Sequence, residues 1–382
     1  MPVIKVLVVD DSAFMRKMIS DMITSEPGMT VVGTARNGQD ALQKLEQLAP
    51  DVVTLDIEMP ILDGLSTLER IMSDKPLPVI MISSLTQKGA EATMQALQKG
   101  AVDFVPKPSG TISLDIHKVK EELLGKIKVA AVAKVRPKSL PHKKAFVPFG
   151  SSSTKPKIFP IPEKAYSSEV QEATVSTEKT TQHQGILNKI VLIGTSTGGP
   201  KALYEVIPKL PLTLDAAVLV VQHMPPGFTR SLAERLDANS PLKVKEAEHN
   251  EEIRPGVVYI APGDYHLKVH RTEKPGFGKQ LWVRLTQELP ASGHRPSVNV
   301  MMSSVVENFW SKIVGVIMTG MGSDGTEGVR GIKERQGKTI AEDASTCIVY
   351  GMPKVAIESG NIDKVVPLTE MADEITKAIR ER

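Results

Sequence analysis

The sequence predicts two α/β domains, each a doubly wound and mainly parallel sheet, joined by a flexible linker. Three observations lead there. Short β-rich runs alternate with amphipathic helical stretches over residues 1–125 and resume over 188–382. Between them, residues 126–187 are rich in Pro, Lys, Thr, Glu and Gln and lose apolar periodicity. A chain of 382 residues is also long for one average domain and comfortable for two.

In the first segment the strand candidates are Lys5–Val9, Thr30–Ala35, Val52–Leu55, Val79–Ser83 and Asp103–Val105. The clearest helix places Phe14, Met15, Met18, Ile19, Met22 and Ile23 on one face, with Ser12 as its N-cap. Five strands alternating with helices imply a parallel sheet. In the last segment Ile190–Ile193, Ala216–Val221 and Val314–Met318 read as buried strands. Val257–Ile260, His266–Val269 and Leu281–Leu285 read as extended, hairpin-forming segments. Helical faces run through Phe228, Leu232 and Leu236, and through Val298, Met301, Met302, Val305, Val306 and Phe309.

Composition excludes several classes. Hydrophobic content of 41% and charged content of 24% are those of ordinary globular protein. The net charge of +3 is too weak to argue for nucleic acid, and no helix-turn-helix pattern is present in the last segment. A single cysteine, Cys347, excludes an internal disulfide and a cysteine-cluster metal site. No run approaches the roughly 20 apolar residues of a membrane helix. Val6–Val9 is followed at once by acidic residues and reads as a strand instead of a signal peptide. The expected location is cytoplasmic, without membrane insertion.

Polar residues gather at the C-terminal ends of the first five strands. Asp10 and Asp11 follow the first, Asp56 the third, Ser83 and Ser84 the fourth, and Lys107 the fifth. That edge binds ligands in open α/β sheets. Converging carboxylates need a cation, and an oxygen-only set suits Mg²⁺. The chemistry suggested is phosphoryl transfer to Asp56, with Mg²⁺ and Lys107 neutralising the moving group.

The set Val8-Val9-Asp10-Asp11-Ser12, Leu55-Asp56-Ile57-Glu58-Met59-Pro60 with Asp63-Gly64, and Val105-Pro106-Lys107-Pro108 resembles a response-regulator receiver domain, a flavodoxin-like fold. The resemblance implies phosphorylation at Asp56, metal carboxylates at Asp10, Asp11 and Asp56, a switch hydroxyl at Ser83 and a switch aromatic at Phe104. It also implies a cis bond at Lys107–Pro108.

In the last segment Ile190–Gly194 runs into Thr195-Ser196-Thr197-Gly198-Gly199-Pro200 and a helical pattern. Three readings compete. A dinucleotide loop needs G-x-G-x-x-G, but position 196 is Ser. A bare anion-binding turn would use free N–H groups at a helix start. A nucleophilic serine matches, since Gly194–Gly198 fits G-x-S-x-G on a strand–turn–helix. That last reading needs a base and an orienting acid. His223 follows the strand Ala216–Val221, and Asp324 lies in the glycine-rich loop after Val314–Met318. Both leave the same sheet edge as Ser196. The order Ser, His, Asp argues against the α/β-hydrolase fold. His294 is the rival base and Asp343 the rival acid, while His249, His266 and His270 look exposed. A binding module using the Gly194–Gly199 turn is the non-catalytic alternative.

Ile193–Pro200, Val221-Gln222-His223-Met224, Tyr259–Gly263 and Met318–Gly322 with Asp324-Gly325 resemble the chemotaxis protein-glutamate methylesterases. So does Glu342-Asp343-Ala344-Ser345 through Tyr350-Gly351-Met352-Pro353. Asn299 stands where that pattern has Asp. The resemblance implies a Rossmann-like methylesterase domain with an antiparallel hairpin. It implies Ser196, His223 and Asp324 as catalytic residues, and Thr197 and Met321 backbone N–H groups as oxyanion donors. It further implies hydrolysis of glutamate γ-methyl esters and deamidation of glutamine on chemoreceptors. The implied partners are a chemotaxis histidine kinase as phosphodonor and methylated chemoreceptors as substrate, with no nucleic acid. The unmodified receiver is expected to pack over the esterase cleft.

Overall fold

The computed structural model describes residues 3–107, 116–133, 187–274 and 278–381. The first domain runs β1 (Ile4–Val9), α1 (Ala13–Thr24), β2 (Met29–Ala35), α2 (Gly38–Leu48) and β3 (Val52–Asp56). It continues with α3 (Gly64–Asp74), β4 (Val79–Ser83), α4 (Gln87–Lys99), β5 (Asp103–Pro106) and α5 (Ile116–Ala130). All five strands are parallel, in the order β2-β1-β3-β4-β5. Strand order reverses beside β1 and β3, so the residues after those strands open into a crevice. Local chemistry starts the helices. Ser12, Asn37, Asp63 and Thr86 are extended N-caps whose side chains accept from the backbone N–H three residues on.

The second domain runs β6 (Lys189–Thr195), α6 (Gly199–Val206), β7 (Ala217–Gln222), α7 (Phe228–Asn239), β8 (Lys243–Glu246) and β9 (Val257–Ile260). A hairpin of β10 (His266–Lys274) and β11 (Gly278–Thr286) follows, then α8 (Val298–Asn308) and β12 (Lys312–Ile317). The chain closes with α9 (Thr326–Glu334), β13 (Lys338–Glu342), α10 (Met352–Glu358), β14 (Lys364–Val366) and α11 (Met371–Arg380). The main sheet has seven parallel strands in the order β14-β13-β12-β6-β7-β9-β8. The central strands β12, β6 and β7 are almost wholly buried, which is why they read as unbroken apolar runs.

Several expectations are corrected. Val257–Ile260 belongs to the parallel sheet, pairing with β7 and β8, and not to a hairpin. The short strands β8, β13 and β14 were not expected. Phe14 is 54% exposed, because α1 turns only Ile19, Met22 and Ile23 fully inward. Helix α5 continues to Ala130, past the expected start of the linker at 126. His266, expected to be exposed, is buried beside the Leu289 carbonyl, 3.1 Å from Nε2. The Lys107–Pro108 bond and the linker residues 134–186 lie outside the described residues. Among the described residues, no helix is long and apolar enough to cross a membrane.

The two domains meet along α4, β5 and α5 of the first and α6, α7 and the loop after β6 of the second. Met94, Leu97 and Phe104 join Leu203, Phe228 and Leu232 in one continuous apolar cluster. Gln98 accepts from Arg235 Nη2 at 2.7 Å across the same seam.

Candidate functional site

In the first domain Asp10, Asp11 and Asp56 converge. One carboxylate oxygen of each lies within 4.8 Å of the others. Lys107 Nζ is 2.8 Å from Asp56 Oδ2 and 3.4 Å from Asp10 Oδ2. Burial pushes the Asp56 carboxyl up to about 6, with Asp10 repelling it and Lys107 opposing the shift. Burial likewise raises Asp10, and the two carboxylates raise Lys107 against its own desolvation. The buried Oδ2 atoms of Asp10 and Asp56 share the single ammonium of Lys107, so three carboxylates face one cation. An oxygen-only set with uncompensated anionic charge fits a hard divalent cation such as Mg²⁺.

Ser83 lies at the end of β4, but its hydroxyl is turned toward α4. It accepts from Thr93 Oγ1 at 2.7 Å and donates to the Gly89 carbonyl at 3.1 Å. Phe104 is turned inward and its ring stacks on Phe228 of the second domain, with centroids 4.5 Å apart. Both residues implied as switch elements therefore face the helix and the seam that contact the second domain.

The second site is built on three adjacent strands. Register pairs Thr195 with Gln222, so Ser196 and His223 leave β6 and β7 side by side. The His223 amide donates to the Thr195 carbonyl at 3.1 Å. Gln222 clamps the two strand ends. Its Oε1 accepts from Thr195 Oγ1, and its Nε2 donates to the Ser196 and His223 carbonyls. Gly199 leaves room for that clamp, because a Cβ there would fall 1.9 Å from Gln222 Oε1.

Asp324 enters from the loop after β12. His223 Nε2 lies 2.9 Å from Asp324 Oδ2. The carboxylate also accepts from Ser297 Oγ, Val298 N and Asn299 N at the start of α8. Burial would raise its pKa, but the His223 contact and these N–H donors outweigh it and hold it low. Asn299 Oδ1 accepts from Gly325 N and Gly328 N, which ties α8 to the loop bearing Asp324. An amide oxygen accepts these bonds as a carboxylate would, so the change from Asp leaves the tie in place.

His294, the rival base, lies against His223 with ring centroids 3.8 Å apart and planes 13° from parallel. Burial lowers its pKa to about 4, aided by the charges of His223 and Lys126. Its partner is the ring of His223 and not Asp324. Asp343, the rival acid, caps the Ser345 amide instead. Ser196 is 8% exposed. Its hydroxyl makes no hydrogen bond to His223 among the described residues, and such contacts often tighten only when substrate binds. The Ser196 amide donates to the Thr319 carbonyl, while the Thr197 and Met321 amides donate to no group among the described residues. His223 Nδ1 is buried without a partner.

The first domain reaches this site directly. Thr197 Oγ1 donates to Asp103 Oδ2 at 2.5 Å. Lys126 on α5 lies 3.3 Å from Asp103 Oδ1 and donates to the Phe104 carbonyl at 2.6 Å. A Cβ at Gly125 would stand 3.7 Å from Met321 Cε. Sequence reading missed Asp103, Lys126, Gln222 and Ser297. Asp103 carried a weak signal as the polar neighbour of Phe104, and Gln222 as the polar end of an apolar strand.

A five-stranded parallel domain with an acidic cluster at its strand ends, packed through α4, β5 and α5 against a domain that gathers Ser196, His223 and Asp324, defines a response regulator whose output domain is an enzyme. Residues 6–117 match the response regulator receiver domain, and residues 191–375 match the family described as CheB methylesterase. The protein-glutamate methylesterase/protein-glutamine glutaminase 1 of Syntrophomonas wolfei is 54% identical over 376 residues, covering 98% of this chain and 99% of that protein. The corresponding protein of Halalkalibacterium halodurans is 51% identical over 374 residues, covering 98% of each. The crystal structure of the Thermotoga maritima CheB methylesterase catalytic domain is 46% identical, with a TM-score of 0.47, and covers 50% of this chain and 99% of that one. The chain belongs to the protein-glutamate methylesterase/protein-glutamine glutaminase family.

Proposed function

We propose that this chain is a phosphorylation-gated serine hydrolase acting on chemoreceptors, with Ser196, His223 and Asp324 as its catalytic residues. It hydrolyses glutamate γ-methyl esters and deamidates glutamine side chains, and so serves adaptation in chemotaxis. The observation that carries this reading is the His223–Asp324 hydrogen bond beside Ser196, at the C-terminal edge of adjacent parallel strands.

Ser196 Oγ attacks the side-chain carbonyl carbon of the substrate. His223 takes the serine proton, and Nδ1 is the nitrogen for this step because Nε2 engages Asp324. The resulting oxyanion accepts from the Thr197 and Met321 amides. Collapse of the intermediate breaks the bond to the leaving oxygen, and His223 returns the proton to release methanol. Water, deprotonated by His223, then cleaves the glutamyl-Ser196 ester to give glutamate and free serine. With glutamine the leaving group is ammonia and the rest is unchanged. Asp324 fixes the imidazole tautomer and stabilises the imidazolium.

In the receiver, Asp10, Asp11 and Asp56 would hold Mg²⁺, which supplies charge neutralisation for phosphoryl transfer from the kinase. Asp56 is the phosphoacceptor, and Lys107 pairs with its oxygens. A phosphoryl group adds about −1.5 to −2 charges there. Ser83 and Phe104 then leave their places against α4 and Phe228, which weakens the seam over Ser196.

Labelling with a fluorophosphonate probe tests the serine assignment. Wild type with phosphodonor should be labelled at Ser196, and His223→Ala should not. Labelling at another residue, or none in active enzyme, overturns the assignment.

A further inference from the structure

The motif that begins at Glu342 has no part in the mechanism above, yet its first residue is fully buried one strand from the site. Glu342 ends β13. Its Oε2 accepts from the Thr319 amide at 2.8 Å, and its Oε1 is buried without a hydrogen-bond partner.

Thr319 is the residue on which the nucleophile rests. Its carbonyl accepts the Ser196 amide at 3.0 Å. Its hydroxyl donates to the Thr197 carbonyl at 3.0 Å and accepts from Val349 N. The following glycine packs so closely that a Cβ at Gly320 would stand 2.8 Å from Ser196 Cβ. The Gly320 carbonyl in turn accepts the Gly351 and Met352 amides of the same motif. One residue, Thr319, thus has Glu342 on its N–H and the Ser196 amide on its carbonyl.

The geometry points to Glu342 as a positioning residue that, by accepting the Thr319 N–H, fixes the Thr319 backbone and through it the place of Ser196 between His223 and the oxyanion donors. The inference rests on the serine-hydrolase reading given above. Burial raises the Glu342 pKa, against the Thr319 N–H and the Thr346 and Cys347 side chains, while Asp343 adds repulsion. Lys201 and Glu205 of α6 and Cys347 are the other ionisable groups lining the adjoining cavity of about 320 Å³. Loss of the Oε2 acceptor would leave the Thr319 N–H unpaired and loosen the anchor beneath Ser196.

The test uses the full chain with Mg²⁺ and acetyl phosphate, and measures kcat and KM for methanol release from methylated chemoreceptor membranes. Glu342→Gln keeps an acceptor oxygen for the Thr319 N–H and should keep kcat within about threefold of wild type. Glu342→Leu removes the acceptor and should lower kcat about tenfold or more at little-changed KM. Asp56 phosphorylation and thermal melting report whether each variant is folded. Glu342→Gln as impaired as Glu342→Leu would show that accepting the Thr319 N–H does not suffice, and overturns the inference. Wild-type kcat in Glu342→Leu overturns it equally. Ser196→Ala runs alongside: if it retains activity, the serine reading itself has failed, whereas an inert Ser196→Ala with unaffected Glu342 variants sinks only the positioning role.

Discussion

Asp103 and Thr197, 94 residues apart in the chain, share a hydrogen bond of 2.5 Å across the domain seam. One adjoins the implied switch ring Phe104, and the other adjoins the nucleophile Ser196. The bond therefore joins the receiver's output face to the residue proposed to supply an oxyanion donor. Removing its acceptor should open the cleft. A charge-assisted hydrogen bond contributes ~1.5–3 kcal/mol, so Asp103→Ala should raise activity without phosphodonor by about tenfold or more. Methanol release with normal Asp56 phosphorylation checks it. Unchanged basal activity would deny the contact a role in restraint.

The Phe104–Phe228 stack should contribute to the same closed state. Such pairs contribute ~0.5–1.5 kcal/mol beyond burial. Phe228→Leu should raise basal activity about two- to tenfold and shrink the further gain on phosphorylation. The seam should also become easier to cleave in limited proteolysis. A variant with wild-type basal activity and protease resistance would contradict this.

Asp324 orients His223 while Ser297 Oγ and the Val298 and Asn299 amides also donate to its two oxygens. Asp324→Asn should lower kcat on the order of 10⁴-fold while leaving receiver phosphorylation intact. Adding Ser196→Ala should cost little more, since the residues act as a unit. Steady-state rates of the single and double variants decide it. Additive losses would argue that the two act separately.

His294 gives a pH signature. Its folded pKa of about 4 lies below the ordinary 6.5, so protonation favours the unfolded chain. Stability from this site is full above pH 6.5 and falls as pH drops from 6.5 toward about 4. His294→Phe keeps a ring against His223 but does not titrate. Its melting temperature should fall less than that of wild type between about pH 7 and about pH 5. Equal falls would show that His294 is not held neutral by the fold.

The parts legible in sequence are those with local causes. Val6–Val9 and Ile190–Ile193 are unbroken apolar runs because parallel strands are covered on both faces. Asp10, Asp56, Ser196 and His223 stand at strand ends and Asp324 in the loop after one, so the shared edge followed from topology. The edge strands of the second sheet were not legible. Lys243–Glu246 and Lys364–Val366 are short and charged, as edges are, and carry little pattern. His266 looked exposed because nothing local marks the Leu289 carbonyl that covers it. The seam was legible only as an implied packing. Neither Asp103 nor Thr197 has a local pattern that names the other, and the pairing exists only once both domains are folded.

The central claim is that phosphorylation at Asp56 releases chemistry at Ser196. Methanol release from methylated chemoreceptor, with and without Mg²⁺ and a small phosphodonor, tests it most directly in wild type, Ser196→Ala and Asp56→Asn. The account predicts stimulated release in wild type, none in Ser196→Ala, and an unstimulated basal rate in Asp56→Asn. Stimulation that persists in Asp56→Asn, or release that persists in Ser196→Ala, would contradict it.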